Sequence, residues 1–337
     1  MNDTNGLLSV CVLCYNHEPY IEECVRSIWD NDYKNVEIVA IDDGSTDDSV
    51  AVLKRLKAES PCPFTVIEQE NTHNIGLNAN RAAKKAQGEF LTFIATDDYY
   101  TKDAFSTKLR LMNDDKNIAF VVSEGGYSKL PNGEVVKNEV PNGASLKGLP
   151  VERLCEIEYE RGTFAIQGMI FRKDVFNAVN GYDEDIRGDD IIIRTKVLQH
   201  MTRHPELTCV VLDAPDFYYR RHDNSYSSDQ TEMVRILLDA YDRYWPDRPY
   251  ADYVKESAFK AFKKTPFPDL ADICAAHPRM FRFICSNETF LRRFRDSLTK
   301  HLRKQNRFAW LVRKDEISDK KTKLVLLNCL KINLKKH

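Results

Sequence analysis

Three adjacent aspartate pairs are candidates for chemistry: Asp42-Asp43, Asp97-Asp98 and Asp189-Asp190. Carboxylate oxygens are hard ligands that suit Mn²⁺ or Mg²⁺, and a carboxylate can also accept a proton from an attacking hydroxyl group. The chain contains neither G-x-G-x-x-G nor G-x-x-x-x-G-K-[ST], the loops that bind dinucleotides and triphosphates. The acids therefore predict a site that works through a cation or through hydrogen bonds to polar donors.

Two of these pairs directly follow predicted strands. The first hundred residues alternate strand and helix signals, which predicts a doubly wound α/β domain. Strands are predicted at 7–15, 36–45, 64–67 and 90–95, with helices at 19–29 and 79–86. Polar clusters lie at the carboxyl ends of three of these strands: 42–45 forms the end of its strand, and 16–18 and 96–98 come directly after theirs. Because ligands of open α/β sheets bind beyond the carboxyl ends of the strands, we expect these clusters to form one site.

The rest of the chain carries weaker strand signals and then helical ones. Segment 127–150 is rich in Gly, Pro, Asn and Lys and predicts a hairpin or a mobile loop. Further helices are predicted at 151–160 and 190–200, and strands at 165–171 and 209–212. A helix begins near Asp229, where Glu232 is placed to complete a capping box. We expect a domain over residues 1–228, divided into halves 1–100 and 101–228, and then a mostly helical, basic region over residues 229–337.

Composition is that of an ordinary globular protein, with 42% hydrophobic and 30% charged residues. The formal net charge of -2 gives no general attraction to nucleic acid, and we expect no nucleic-acid partner. Nine scattered cysteines favour reduced thiols, and Cys11 and Cys14 are predicted to be buried strand residues. The N-terminus is not a signal peptide, and no apolar stretch approaches the roughly 18 residues of a membrane span. We therefore expect a cytoplasmic protein, free or held at a membrane surface.

Five segments, in order along the chain, resemble the conserved segments of family-2 glycosyltransferases. The segments are SVCVLCYNHEPYIEECVRSI, VEIVAIDDGSTDDS, NTHNIGLNANRAAKKAQGEFLTFIATDD, GYDEDIRGDDIIIRTKVLQ and YRRHDNSYSS. The resemblance covers about residues 7 to 228. Within the family, the chain resembles the enzymes of bacterial surface polysaccharide assembly. It implies the GT-A fold, a doubly wound mixed sheet with a Rossmann-like nucleotide-binding half. It also implies an inverting transfer of sugar from a UDP-sugar to a hydroxyl group of a glycan or a lipid-linked saccharide.

The nucleotide-sugar site implied by the resemblance consists of Tyr15, Asn16, Asp43, Asn74, Gly76, Arg81 and Asp97. An ionised Asp43 carboxylate can accept the imide N–H of uracil, and a guanidinium at Arg81 can bond the diphosphate bidentately. Some of these residues also have a structural alternative. Asp42 and Asp43 can cap the following helix, and Arg81 can be a solvated helix residue. Tyr15 can equally be a structural tyrosine at a strand end.

The implied metal is Mn²⁺ or Mg²⁺, held by Asp98 and His222. The leading aspartate of the usual D-x-D-D pattern is Ala95 here, so this site has fewer acidic ligands than the pattern supplies. We expect Asp98 to bind the metal and Asp97 to lie near the ribose or behind the ligands, although the two roles can be exchanged. Ser225 and Ser227 are further candidates for phosphate binding.

Catalysis is assigned by the resemblance to Asp190 as the base, with Asp189 orienting the acceptor. An inverting transfer needs one carboxylate to take the proton of the acceptor hydroxyl group. The alternative is that both acids only stabilise the N-terminus of the helix that follows.

Basic and aromatic residues alternate near the C-terminus, as expected of a helix that lies on anionic lipid or of a packing domain with a basic solvated face. The first alternative would place the protein peripherally, on the cytosolic face of the inner membrane. Two rival functions remain, a non-catalytic sugar-nucleotide-binding module and a nucleotidyltransferase of similar fold.

Overall fold

The computed structural model describes residues 6–138, 145–188, 190–222, 229–262 and 265–304. Contacts between Cα atoms divide the chain into two units, Met1–Ser228 and Asp229–His337. Each unit has its own buried apolar side chains, such as Phe93 in the first and Leu238 in the second.

The first unit is built on a mixed sheet of seven strands in the order β10-β6-β9-β4-β1-β2-β3. All neighbours are parallel except β9, which runs antiparallel to both β4 and β6. These strands are β1 (Leu8–Cys14), β2 (Val36–Asp42), β3 (Phe64–Glu68), β4 (Phe90–Ala95), β6 (Ile118–Ser123), β9 (Met169–Arg172) and β10 (Thr208–Leu212). The mixed, doubly wound α/β class predicted from the sequence is confirmed.

A second, four-stranded sheet has the order β5-β11-β7-β8. Its strands are β5 (Tyr99–Tyr100), β7 (Tyr127–Lys129), β8 (Val135–Lys137) and β11 (Phe217–Arg220). Strands β7 and β8 form the antiparallel hairpin that the Gly- and Pro-rich segment 127–150 predicted as one alternative. Residues 139–144 of that segment lie outside the described residues. Strand β11 pairs in parallel with β7 and antiparallel with β5, so residues 99 and 218 become neighbours.

The helices of the first unit are α1 (Ile21–Trp29), α2 (Ser49–Glu59), α3 (Ile75–Lys85), α4 (Ser106–Asp114), α5 (Val151–Arg161), α6 (Lys173–Ala178) and α7 (Asp190–Met201). Helix α1 buries the predicted stripe of Ile21, Cys24, Val25 and Ile28 against the sheet. Helix α3 begins four residues before the predicted Ala79, because the Asn74 side chain accepts a hydrogen bond from the backbone N–H of Leu77 and caps it.

The predicted strand 165–171 is a short helical turn followed by a shorter strand. Residues Ile166–Gly168 form a 3₁₀ turn, and β9 begins only at Met169. Apolar residues on both sides of Gln167 give a continuous strand-like pattern, so the sequence does not reveal this turn. Its position matters because its residues contact two of the candidate acids.

Five helices make up the described part of the second unit: α8 (Gln230–Tyr244), α9 (Asp252–Phe262), α10 (Phe267–Ala276), α11 (Pro278–Ser286) and α12 (Glu288–Lys304). Asp229 caps α8, as predicted, since its carboxylate accepts hydrogen bonds from the N–H groups of Thr231 and Glu232. The apolar face of α12 packs inside this unit, where Phe290 contacts Phe259 and Phe283. In the part of the chain described here, no helix is both long enough and apolar enough to span a bilayer.

A buried ion pair fixes α4 beneath the sheets of the first unit. The ammonium group of Lys108 contacts a carboxylate oxygen of Asp216, and both side chains are almost fully buried. Lys108 also donates to the carbonyl oxygen of Gly168 at 2.7 Å, and Ser123 Oγ donates to Asp216 at 2.6 Å. The pair therefore ties together the 3₁₀ turn, the end of β6 and the residue just before β11.

Replacing Lys108 by alanine leaves the Asp216 carboxylate buried without its cation. We expect Lys108→Ala to lower the free energy of unfolding by about 3–5 kcal/mol, measured by urea denaturation. Lys116→Ala is the matched control, because the Lys116 side chain is 62% exposed beside Glu89 and its loss should change stability by at most about 1 kcal/mol. Equal losses in the two variants would contradict the role given to the buried pair.

Candidate functional site

The turn after β2 is built around Asp42, which is 1% exposed. Its two carboxylate oxygens accept hydrogen bonds from Ser45, one from the backbone N–H at 2.9 Å and one from the hydroxyl group at 2.5 Å. Gly44 adopts a φ of +74°, and a Cβ atom there would lie 2.6 Å from the backbone nitrogen of Asn71. Asp42 is thus occupied by its own turn, and only Asp43 remains for a role in binding.

Asp43 is buried and held from several sides. Its Oδ1 atom accepts from the Thr72 N–H at 2.8 Å and from Gln69 Nε2 at 2.7 Å, and its Oδ2 atom accepts from Thr72 Oγ1 at 3.2 Å. Gln69 in turn accepts from Arg81 Nη1 at 2.6 Å, while the rest of the Arg81 side chain is exposed. The structure therefore links the predicted base-binding carboxylate to the predicted diphosphate-binding guanidinium through Gln69, a residue that the sequence did not single out.

Tyr15 and Asn16, which directly follow β1, have different surroundings. The Tyr15 side chain is 42% exposed at the surface. Asn16 has a positive φ of 53°, and its side-chain oxygen accepts from the Thr46 N–H at 2.7 Å. Its own N–H donates to Ser45 Oγ at 2.8 Å. Asn16 thus fastens the end of β1 to the turn after β2, whereas Tyr15 is free to contact a ligand.

Helix α3 anchors the loop that precedes Asp190. Asn74 Nδ2 donates to the carbonyl oxygen of Glu184 at 2.6 Å, and the Asn80 amide bonds both the N–H and the carbonyl of Tyr182 at 2.9 Å. A Cβ atom on Gly76 would lie 3.3 Å from the carbonyl oxygen of Gly188, so the two backbones approach closely. Asp189, the next residue, lies outside the described residues.

Asp190 is the first residue of α7, and its side chain is 32% exposed. Its Oδ2 atom lies 2.9 Å from Arg194 Nη1 and 3.4 Å from the N–H of Ile166. Arg194 is itself fixed by the fully buried Glu158, whose oxygens lie 3.2 Å from Arg194 Nε. The guanidinium thus places a positive charge directly beside the Asp190 carboxylate.

Asp190 also lines a cavity of about 320 Å³. The cavity is bounded by Glu124, Gly125, Gly126, Asn138, Leu146, Arg161, Gly162, Thr163, Phe164, Ala165, Arg194 and Phe217. Its mixture of backbone groups, two aromatic rings and charged side chains suits a small polar ligand.

The two acids after β4 face in different directions. Asp98 is 1% exposed; its Oδ1 atom accepts from the N–H of Arg220 at 2.9 Å and its Oδ2 atom accepts from Gln167 Nε2 at 3.0 Å. Burial, followed by repulsion from Asp97, raises the pKa of the Asp98 carboxyl group well above its ordinary value. Asp98 therefore holds β11 and the 3₁₀ turn in place.

Asp97 instead faces two histidines. Its Oδ2 atom lies 3.0 Å from His222 Nε2 and 3.7 Å from His17 Nε2. One ligand atom from each of the three residues lies within 4.8 Å of the other two, and among the residues that the structure describes this is the one such group that could hold a metal ion. Burial lowers the pKa of His17, which keeps its imidazole neutral and able to bind a cation. Two imidazole nitrogens and one carboxylate fit Mn²⁺.

The 3₁₀ turn brings the two groups of acids together. The N–H of Ile166 contacts Asp190, and the side chain of the next residue, Gln167, contacts Asp98. His17 belongs to a polar cluster that the sequence placed at a strand end, but it was not predicted to be a ligand. Gln167 carries no sequence signal. Ser225 and Ser227 lie outside the described residues.

Gly44 supports the Asp43 pocket through its close approach to segment 71–72. We expect Gly44→Ala to lower the free energy of unfolding by about 2 kcal/mol or more, because it adds a backbone clash to the strain of a positive φ. Gly133→Ala is the control: Gly133 has a φ of +86° with no atom within 4 Å of the added Cβ, so strain alone should cost about 1 kcal/mol. Urea denaturation measures the free energy of unfolding of both variants. An equal loss would mean that segment 71–72 moves aside for the added Cβ atom and that the close approach contributes nothing to stability.

Comparison with known proteins gives a consistent family assignment. The sequence matches the family model described as Glycosyl transferase family 2 over residues 9–179, just over half of the chain. A curated relative, the GalNAc(5)-diNAcBac-PP-undecaprenol beta-1,3-glucosyltransferase of Campylobacter jejuni, is 29% identical over 136 residues, or 39% of this chain and 44% of the relative. The chain spans about a third to a half of the length of the curated relatives that it matches first.

Two solved structures have a similar fold. The crystal structure of S. aureus TarS 1–349 in complex with UDP-GlcNAc has a TM-score of 0.60 at 18% identity and covers 89% of this chain and 92% of that one. The mannosyltransferase PcManGT from Pyrobaculum calidifontis, in complex with GDP-Man and Mn²⁺, has a TM-score of 0.52 at 15% identity and covers 88% and 86%. The family match and the mixed sheet together confirm the resemblance found in the sequence: this chain belongs to glycosyltransferase family 2 and has the GT-A fold.

Proposed function

We propose that the protein transfers a sugar from a UDP-sugar to a hydroxyl group of a glycan or lipid-linked saccharide, with inversion at the anomeric carbon. The observation that carries this proposal is the 3₁₀ turn Ile166–Gly168, which contacts both Asp98, beside the His17, Asp97 and His222 cluster, and Asp190. A leaving diphosphate needs a cation and an attacking hydroxyl group needs a base. The turn keeps both functions at one edge of the sheet.

Donor binding is proposed to centre on Asp43. The Thr72 and Gln69 contacts orient its carboxylate, which can then accept the imide N–H of uracil. Tyr15, exposed beside this pocket, packs on the base or ribose, and Asn16 keeps the pocket in shape. The UDP-GlcNAc bound in the TarS structure supports a uridine donor.

The diphosphate is proposed to lie near Arg81, whose guanidinium is oriented by Gln69 and bonds phosphate oxygens well. Asn74 and Gly76 set the backbone at the beginning of α3, where the positive end of the helix dipole also favours an anion.

The metal is proposed to be Mn²⁺ or Mg²⁺, held by Asp97 and His222 and not by Asp98. The two aspartates thus exchange the roles expected from the sequence, because Asp98 is 1% exposed and bonds Gln167 and Arg220, whereas Asp97 faces the two histidines. When bound, such an ion offsets the charge of the departing diphosphate. The structure of PcManGT, a protein of similar fold, contains GDP-Man and Mn²⁺, which supports a divalent metal in the proposed reaction.

Asp190 is proposed to be the base of a single displacement. Arg194 and the Ile166 N–H both contact its Oδ2 atom and orient the carboxylate, which takes the proton of the acceptor hydroxyl group as that oxygen attacks. The cavity beside Asp190 receives the acceptor, and Asp189 is proposed to orient it. The undecaprenol-linked acceptor in the name of the C. jejuni relative supports a lipid-linked saccharide.

The remaining assignments are also proposals. The division of residues 1–228 into a nucleotide-sugar-binding half, 1–100, and an acceptor half, 101–228, follows from these roles. Association with the cytosolic face of the membrane is proposed for the basic C-terminal region, 229–337, of which 305–337 lie outside the described residues, because lysine and arginine attract anionic lipid. We propose no nucleic-acid partner.

Asp190→Asn tests the function directly. We expect UDP release from the preferred UDP-sugar, with acceptor and Mn²⁺ present, to fall by about 10²- to 10⁴-fold, while UDP affinity measured by calorimetry stays unchanged. Asp114→Asn, at an exposed aspartate, should leave both values at the wild-type level. The anomeric configuration of the product, determined by NMR, should be inverted.

Unchanged turnover in Asp190→Asn would reject Asp190 as the base. If the wild-type protein bound UDP but turned over no donor in a panel of UDP-sugars, the protein would be a sugar-nucleotide-binding module. The loss of the leading acid at Ala95 is the observation that favours this alternative.

A further inference from the structure

His17 is the member of the histidine cluster that neither the sequence pattern nor the family resemblance assigns. It lies just after β1, where its backbone N–H donates to Ser49 Oγ at 3.0 Å. Its Nδ1 atom lies 2.8 Å from Thr96 Oγ1, and its Nε2 atom is the one that faces Asp97. Hydrogen bonds thus hold the backbone of His17 and the Nδ1 atom of its ring. The Nε2 atom points toward Asp97 and His222.

The surroundings of Thr96 determine which nitrogen of His17 carries hydrogen. Thr96 is fully buried, and its Oγ1 atom lies 3.2 Å from the carbonyl oxygen of Leu13. A carbonyl oxygen can only accept, so the Thr96 hydroxyl group donates its hydrogen there. Both contacts of Thr96 Oγ1 are hydrogen bonds when His17 Nδ1 is the donor to it, and this tautomer has a lone pair on Nε2.

This tautomer turns a lone pair of His17 toward Asp97 Oδ2, the oxygen that also lies 3.0 Å from His222 Nε2. The Nε2 lone pair of His17 faces Asp97 Oδ2 at 3.7 Å, so two acceptors approach each other without a proton between them. The distance is too long for a hydrogen bond. Neighbouring ligands of one ion at about 2.1 Å each lie about 3–3.4 Å apart, which resembles the spacings found here. A cation between the two atoms would turn the repulsion into coordination.

We propose that His17 is a third protein ligand of the metal, that Thr96 orients its imidazole ring, and that the two imidazoles give the site a preference for Mn²⁺ over Mg²⁺. The proposal rests on the metal site of the proposed function. Ala95, at the end of β4, has no side chain that could bind a metal. His17, which follows β1, supplies a ligand in its place. Mg²⁺ prefers oxygen ligands, whereas Mn²⁺ also accepts imidazole nitrogen.

Mn²⁺ titration of the full chain without nucleotide tests the proposal, with free Mn²⁺ measured by electron paramagnetic resonance. We expect His17→Ala to weaken Mn²⁺ binding by at least about 10-fold and Thr96→Val by about 10-fold. Thr96→Ser, which keeps the hydroxyl group, should bind like the wild type. His204→Ala, at an exposed histidine, is the matched control and should also bind like the wild type, and thermal unfolding should show all four variants to be folded.

Pulsed paramagnetic resonance on the Mn²⁺-loaded protein gives a signal that a merely structural role would not change. We expect ¹⁴N couplings from two imidazoles in the wild type and from one in His17→Ala. In competition, Mg²⁺ should displace Mn²⁺ at a lower concentration from His17→Asp than from the wild type. Wild-type Mn²⁺ affinity and two couplings in a folded His17→Ala variant would overturn the proposal, as would a wild-type protein that binds no Mn²⁺.

These results are separable from the test of the function. Asp190→Asn should keep the wild-type Mn²⁺ affinity, because Asp190 is not part of the cluster. A protein that turned over no UDP-sugar but bound Mn²⁺ through two imidazoles would lose the proposed function and keep this metal site. A protein with normal turnover and only one imidazole coupling would keep the proposed function and lose His17 as a metal ligand.

Discussion

The parallel pairing of β1 with β2 on one side and β4 on the other is the constraint on which the site depends. In this register Cys14 lies beside Asp42, and Leu13 lies beside Ala95. The last carbonyl groups of β1 extend the pairing beyond the strands: Cys14 accepts from the Asp43 N–H and Leu13 accepts from the Thr96 N–H, both at 2.9 Å. A slip of one residue would reverse every side chain of a strand between the two faces of the sheet. The acids reach one edge together because the register is fixed.

The sequence predicted this arrangement well where strands are regular. Continuous apolar runs identified β1, β2 and β4, and polar clusters after them located the edge at which the site lies. The same reasoning could not distinguish Asp97 from Asp98. Two adjacent aspartates look the same in a sequence. They differ in the structure because Asp98 contacts Arg220 and Gln167, which are more than 60 residues away along the chain. Long-range contacts of this kind are set by packing, which a local pattern does not contain.

Asp98 illustrates how a buried acid can position residues around a candidate site. Its oxygens accept hydrogen bonds from Gln167, the middle residue of the 3₁₀ turn, and from Arg220, the last residue of β11. The Arg220 side chain then returns to the Asp97 carbonyl oxygen at 2.9 Å. His222 follows two residues later, so its position depends on the same clamp. A buried polar group that is fully hydrogen-bonded gives a unique local geometry, which a carboxylate in water would not.

The docking of loop 182–188 on α3 has a consequence for building hybrid enzymes. Asn74 and Asn80 bind the backbone of that loop through their amides, and Gly76 admits it at van der Waals distance. Most of these contacts are made to main-chain atoms and fix the path of the loop, while the side chains of Tyr182 and Ile186 are buried and Asp183 pairs with Lys196. A chimera that joins the first hundred residues of this chain to the later half of a relative should therefore keep these three residues and a loop of the same length. An insertion in this loop would disturb the main-chain hydrogen bonds of Asn74 and Asn80 and the buried side chains of Tyr182 and Ile186 together.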